Sequence, residues 1–348
     1  MFQTLNLKAV LVATVVTLGL IASVIVGSRN LQNFDGALVA YLFGTIFACF
    51  GIVYRYVVWL QRPPTWRYWV RGWQLFFSGK MLIYGWELAK HFFNDFLCQK
   101  FIYHRGTKRW IAHLSLVIGC VMAFAVTIPL TWGWIHFGLK QGTIDTYEAY
   151  LWGFKTMEFP LHTWIAFNIF HILDWCSVLV IIGVTFMMRR RLTDAGQIAI
   201  QTFEGDWLPL ILLLAISVTG LGLTWDYEFM QGKAHQFMAI SHAISVILFL
   251  IWLPFGKFFH LFQRPAQLGV AIYRKEGEIG EQAICPHTEQ PFASKLHIND
   301  LKEVTKELGF NYELQDGTSH LDLSPQGKRA ALAKAHLAAR KKSGSYFG

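Results

Sequence analysis

Residues 241–260 read SHAISVILFLIWLPFGKFFH, an apolar run with an imidazole at each end, His242 and His260, and none between. If the run is one α-helix, the 18-residue separation equals five full turns. The two rings then share one face, roughly 27 Å apart along the axis. No single small ligand spans that distance, so each ring needs its own partner at its own depth. What those partners are depends on the rest of the chain.

Hydrophobic residues make up 54% of the 348, charged residues 15% and aromatic residues 16%. Soluble domains carry about 45–50% apolar and about 25% charged residues. The excess lies in six runs, near 8–27, 36–60, 111–135, 161–188, 207–225 and 237–259. Each is long enough to cross a hydrocarbon core about 30 Å thick. The composition therefore predicts an all-α, polytopic membrane bundle of six transmembrane helices. The net charge of +9 reads as orientation, because Lys and Arg gather on the cytoplasmic side of membrane spans. Segment 61–110 carries nine basic residues from Arg62 to Arg109, the link after the fourth run opens with Arg189, Arg190 and Arg191, and the tail after 260 is basic. The segments 136–160 and 226–236 hold Asp145, Glu148, Glu158, Asp226 and Glu228 against three lysines. Six spans thread this pattern with both termini in the cytoplasm. The first run reads as a retained anchor (1–35) rather than a cleaved leader.

Cys49, Cys120 and Cys176 fall inside predicted spans, Cys98 and Cys285 stand alone on the cytoplasmic side, and no Cys-x-x-Cys occurs. Disulfides are rare in that compartment, and an iron–sulfur cluster needs four Cys or Cys/His ligands, so the chain lacks a cluster of its own. Segment 61–110, with WQLFFSGKMLIYGWELAKHFFNDFLCQKF at its centre, reads as amphipathic, lying in the interface or packed on a partner. The extension 265–348 has few large apolar groups and is expected to bury no independent core. Ser324-Pro325 reads as cap and first position of a basic helix over 327–341, and INDLKEVTKELGF as a short helix starting near Asp300. Cys285-Pro-His287 offers two ligands, too few for a metal, and reads as a loop.

The histidines fall at two depths. His113 starts the third run, four residues after Arg109, at the level of His260. His171 lies 18 residues before Arg189, hence about 27 Å from the inner boundary, at the level of His242. Two imidazoles near each face is the requirement of two bis-histidine haems b stacked across a membrane; a histidine near an interface can also be solvated or bonded to a carbonyl. Asp174, three residues after His171, shares its face. It can orient that imidazole, take a quinol proton, or bond within the bundle. His136, His162 and His235 at outer helix ends are alternatives to His171, while His91 and His104 read as solvated.

The stretch SHAISVILFLIWLPFGKFFHLFQRP resembles the last helix of the γ subunit of respiratory nitrate reductase and its relatives. Those relatives include haem b membrane domains associated with heterodisulfide-reductase-like iron–sulfur proteins. The carriers of the resemblance are Pro254, Phe255, Gly256, Lys257 and His260, with His242 18 positions earlier, and it covers about 36–264. It implies that His260 and His242 ligate haem iron and that His113 is the inner partner. The family's outer partner lies ten residues after the inner one, where this chain has Ala123, so His171 or a neighbour must replace it. The resemblance implies a cytochrome b subunit carrying electrons between the quinone pool (menaquinone or ubiquinone) and an iron–sulfur or flavoprotein subunit on the cytoplasmic side, in a bacterial or archaeal cytoplasmic membrane. Propionates would need cationic or donor partners; Arg55, Arg109 and Lys257 are the candidates, anchoring to the inner face being their other reading. A secondary transporter or channel, with the histidines as a proton relay, and a haem-poor structural anchor are the alternatives. A di-iron hydroxylase would need clustered histidine boxes, and these histidines are spread singly.

Overall fold

The computed structural model describes residues 5–313 and 317–344. Six helices in it are long and apolar enough to cross a membrane, which makes the chain a multi-pass helical membrane protein. Along the chain the elements are α1 (Leu7–Gly27), α2 (Val39–Leu60), α3 (Pro63–Phe76), α4 (Met81–His91), α5 (Lys100–Tyr103) and α6 (Thr107–Thr131). Then come β1 (Ile135–Leu139), β2 (Thr146–Leu151), β3 (Phe154–Pro160), α7 (Trp164–Thr193), α8 (Ala195–Ile198), α9 (Leu208–Met230) and α10 (His235–Trp252). The remainder is α11 (His260–Gln263), α12 (Ala266–Ile279), β4 (Gln282–Ile284), β5 (Pro291–Ser294), α13 (Lys295–Glu307) and α14 (Pro325–Ser343).

The chain forms two compact units, one of residues 1–58 and 94–263, the other of 59–93 and 264–348. In the first, α6 packs on α7, α7 on α9 and α9 on α10. Glycines set the closest of these approaches. A Cβ on Gly119 would lie 2.8 Å from the Cys176 carbonyl, and one on Gly183 would lie 2.7 Å from the Ala112 carbonyl. Lipid supplies no hydrophobic drive between helices, so backbone-to-backbone packing through small residues takes its place. Leu116, Val180, Val184, Leu210, Leu213, Phe249 and Leu253 fill the centre. Helix α2 meets the sixth span more sparsely, with Gly44 facing the Leu250 side chain of α10 and Gly51 facing the Pro254 ring just beyond it.

The link from α6 to α7 is an antiparallel three-stranded meander, β1-β2-β3, where the sequence reading has only a loop. Phe137, Tyr147 and Phe159 close over Phe170 at the start of α7. His136 stacks on Tyr150 across the β1–β2 pair at 4.7 Å.

The sixth span departs from its expected form. Helix α10 stops at Trp252, eight residues short of His260, so the two histidines do not ride one continuous helix. Pro254 has no N–H to give and its ring opposes a continuing ladder. The chain turns through Leu253–Gly256, makes a 3₁₀ turn over Lys257–Phe259, and restarts as α11 at His260. The five-turn argument for a shared face therefore fails, and His260 is placed by the turn.

The second unit joins 59–93 to the tail, whereas the sequence reading attaches 61–110 to the transmembrane domain and leaves 265–348 as an extension. It has its own core. Tyr84, Ile272, Tyr273, Cys285, Ile298, Val304 and Leu323 are buried in it, so the tail, expected to bury no independent core, shares one with 59–93. Gly72 of α3 meets the backbone of Gly269 in α12, where a Cβ would sit 3.0 Å from the Gly269 Cα. Buried Asp300 accepts both Nε and Nη2 of Arg71 and the hydroxyl of Tyr273. Glu276 accepts the Lys80 ammonium and the Tyr84 hydroxyl. Burial pushes both tyrosine hydroxyls above their ordinary range, and the adjoining carboxylates push further. Helix α14 starts as expected at Pro325, capped by Ser324 Oγ accepting from Gly327 N at 3.0 Å. Helix α13 begins five residues before Asp300, capped by Ser294.

Candidate functional site

The four histidines singled out by sequence all lie in the membrane unit, and each has Nδ1 against an oxygen. His113 Nδ1 is 2.6 Å from Gln99 Oε1. His171 Nδ1 is 2.8 Å from the Phe167 carbonyl, one turn earlier on α7, with the two rings stacked at 4.2 Å. His260 Nδ1 is 2.7 Å from the Lys257 carbonyl. A carbonyl oxygen only accepts, so in these three the proton sits on Nδ1. His242 Nδ1 is 3.0 Å from Thr219 Oγ1, and that hydroxyl already donates to the Ala215 carbonyl at 2.6 Å, so it too accepts. In all four rings Nδ1 thus faces an oxygen, which orients the ring and turns its Nε2 edge the other way. That is the arrangement in which an imidazole ligates a metal while its other nitrogen is held by an oxygen.

Local structure explains each orientation. Gln99 is buried and left-handed, at φ 50°, a conformation costly for a residue with a side chain. It caps α5 and turns its amide toward His113 on α6. His242 lies against the bare backbone of Gly220, where a Cβ would approach Cε1 at 3.4 Å. His260 is held by the turn that ends α10. That turn frees carbonyls, and Arg55 takes them, donating through Nη1 to Pro254 O at 2.6 Å and Gly256 O at 3.2 Å. Its guanidinium also lies 4.4 Å from the Phe259 ring centre. Arg55 stands one turn after Gly51, which admits Pro254, so α2 both accommodates the break and satisfies it.

The other expected residues distribute unevenly. Lys257 donates to Asp206 Oδ2 at 2.7 Å, and Arg191 reaches Asp206 Oδ1 at 3.0 Å. Asp206 is buried in the π-turn before α9 and also accepts from Thr202 N. It gathers the end of α7, the start of α9 and the turn before His260. Arg109 makes only a loose pair with Asp194, at 3.8 Å, of the exposed kind that contributes little. Asp174 accepts from Thr224 Oγ1 of α9 at 2.9 Å, the bundle bond among its three expected roles, while His171 turns its Nδ1 to its own helix. His136 is fixed in the sheet, and burial, then the Arg29 charge, hold its imidazole below its ordinary range. Among the described residues no group of three or more His, Cys, Asp or Glu side chains is arranged to hold a metal ion.

Sequence reasoning missed Gln99, Thr219 and Asp206. Thr219 carried a signal, being a hydroxyl inside an apolar run, where polar groups seek partners. Gln99 lies before a helix break and Asp206 in what reads as a loop, so neither stood out.

The fold and these side chains define a multi-pass helical membrane protein with oriented histidines on α6, α7, α10 and α11. The chain is 22% identical over 198 residues to a subunit of the dihydromethanophenazine:CoB–CoM heterodisulfide reductase of Methanosarcina thermophila, covering 53% of this chain and 65% of that protein. The chain thus aligns with just under two thirds of the relative's length. No family model matches it, and no solved structure does.

Proposed function

We propose that this chain is the membrane electron-transfer subunit of an oxidoreductase complex, a cytochrome b of the kind the nitrate reductase γ subunit exemplifies. In this reading His113 and His260 hold an inner haem, and His171 and His242 an outer one. The carrying observation is a common orientation: four imidazoles, on four helices, each with Nδ1 against an oxygen. The heterodisulfide reductase relative supports it, since its name pairs a reduced carrier with a disulfide substrate. A haem held by these imidazoles would supply one-electron transfer at its iron.

The chain's own residues then divide the remaining tasks. Arg55 and Lys257 place positive charge around the turn that carries His260, and with Arg109 they are the candidates to face propionates. Asp174, steadied by Thr224, accepts the proton that a quinol-type carrier releases near the outer level. Glycine contacts between α6 and α7 fix the separation of the helices that carry His113 and His171. With no thiolate cluster or nucleotide motif of its own, the chain hands electrons to an iron–sulfur or flavoprotein subunit on the cytoplasmic face of a bacterial or archaeal membrane, where both termini lie. A transporter would place helix breaks near mid-membrane. Here the break follows 18 helical residues at the end of the span.

Pyridine haemochrome quantification tests the reading. Purified protein should carry about two haems per chain. His260→Ala should remove the inner one and leave the outer spectrum in place, and His171→Ala should do the reverse. Protein with no Soret band would reject the proposal in favour of a transporter or structural anchor.

A further inference from the structure

The second unit presents an aromatic face that its own fold leaves open. On α3, Trp66, Trp73 and Phe77 form one stripe, spaced seven and four residues apart, and on α4 Leu82 and Trp86 form another, one turn apart. Phe77 is 71% exposed, Leu82 89% and Trp86 74%, which is unusual for side chains this large on a water-facing surface. The opposite sides of the same helices are spent. Tyr68 meets Tyr273 edge-on, Gly72 meets Gly269, Arg71 holds Asp300, and Tyr84 is fully buried with its hydroxyl on Glu276. The packing on α12 and α13 thus fixes which side of α3 and α4 is free, and that side is apolar.

We propose that this face lies in the headgroup–acyl boundary of an anionic bilayer and anchors the second unit to the membrane surface. Covalent continuity argues for lipid over a protein partner. Only Gln61 and Arg62 separate the end of membrane helix α2 from Pro63 of α3, so α3 begins within a few residues of the bilayer. Charge argues the same way. Residues 61–93 contain five cations against the single acid Glu87; Arg67, Arg71 and Lys80 are paired with Glu303 and Glu307, Asp300 and Glu276 of the tail, and Arg62 and Lys90 lie outside those pairs. Glu87 is turned inward and paired with Lys90 and His91. An aromatic stripe that carries no acid of its own beyond the inward Glu87, with Arg62 at its membrane-proximal start, matches the interface, where Trp rings sit at headgroup level and basic side chains meet anionic lipid. Trp69–Trp73 and Trp73–Phe77 contacts at 5.8 and 5.9 Å make the stripe a preformed surface. The inference is independent of the haem reading.

The test uses the full chain in nanodiscs of phosphatidylcholine and phosphatidylglycerol, spin-labelled at Phe77→Cys or Leu82→Cys, with Lys306→Cys as reference and the unsubstituted protein's label signal subtracted. Dissolved oxygen partitions into lipid and a nickel chelate stays in water. Oxygen should relax the labels at 77 and 82 more than the chelate does, with the order reversed at 306. Adding Trp86→Glu should lower the oxygen effect at 82. Chelate dominating at 77 and 82 would overturn the proposal. Protection from both reagents would also overturn it, assigning the face to a protein partner.

Discussion

The two units are held together by opposite means. In the membrane unit the helices approach through glycines, Gly119 and Gly183 against backbone and Gly44 and Gly51 against the Leu250 and Pro254 side chains, and charges appear mainly where the ends of spans turn. In the second unit one glycine approach, Gly72 on Gly269, is joined by carboxylates gripped from two sides, Asp300 by Arg71 and Tyr273, and Glu276 by Lys80 and Tyr84. The contrast follows from the solvent. Lipid gives no gain for burying one more methyl group but does reward close approach of helices. Water rewards apolar burial and lets ion pairs form at modest cost near the surface. One chain thus carries two packing chemistries, and a substitution should hurt according to the unit it enters.

The largest effect is expected at Gly183→Leu. Its Cβ alone would meet the Ala112 carbonyl at 2.7 Å and Leu116 at 2.9 Å, forcing α6 from α7. Overpacking of this kind costs about 3 kcal/mol; the variant should lose its monodisperse peak in detergent, and a wild-type profile would break the comparison from the membrane side. Asp300→Ala should cost about 2 kcal/mol, less than a fully buried pair because Arg71 is partly exposed. A lowered unfolding midpoint with the membrane-unit spectrum unchanged would confirm that this ionic tie holds the second unit and not the first. Arg55→Gln sharpens the boundary case, a charge with a structural role inside the membrane unit. Leaving the Pro254 and Gly256 carbonyls short of a donor should cost about 1 to 2 kcal/mol. It should also perturb the environment of His260 before that of His242, read in the absorption spectrum or by labelling.

The last effect concerns pH. Cys285 is buried in the second unit, which raises its pKa, but the Ser324 hydroxyl, Thr288 and the backbone N–H groups of Ser324 and His287 outweigh burial and bring the thiol from 9.0 down to about 6. A depressed folded value means the unfolded state holds the proton more tightly. The stabilisation is therefore complete above the unfolded pKa and fades as pH falls through about 6. Melting temperature across that window should slope upward with pH, and the slope should flatten in Cys285→Ala. An unchanged slope would remove Cys285 from the account.

The spans were legible because a bilayer imposes a length and tolerates little polarity, so about twenty apolar residues identify a crossing by themselves. The cap at Ser324-Pro325 was legible because its chemistry is local. What stayed hidden was either discontinuous or subtle. The tail's core is completed by α3 and α4, nearly two hundred residues earlier in sequence, so neither half looks sufficient alone. The break after Trp252 hid because apolar length was read as helix length, although Pro254 was in plain view. The sheet at 135–160 hid because IHFGL, TYEAYL and FKTMEFP alternate only weakly. At the site, the histidines announced themselves, while the groups that aim them, Gln99 and Thr219, did not. An orienting oxygen needs no particular spacing from the ring it serves, only a fold that delivers it.

The divided second unit also sets an order for biosynthesis. Its two pieces, 59–93 and 264–348, flank the whole stretch 94–263. At about 5–20 residues per second, a ribosome needs roughly 10 to 30 seconds to traverse that stretch. Through that interval four further spans enter the bilayer while α3 and α4 wait without α12. A newly made chain cut before Ala266 would keep them waiting, and quality control would meet an orphaned aromatic hairpin.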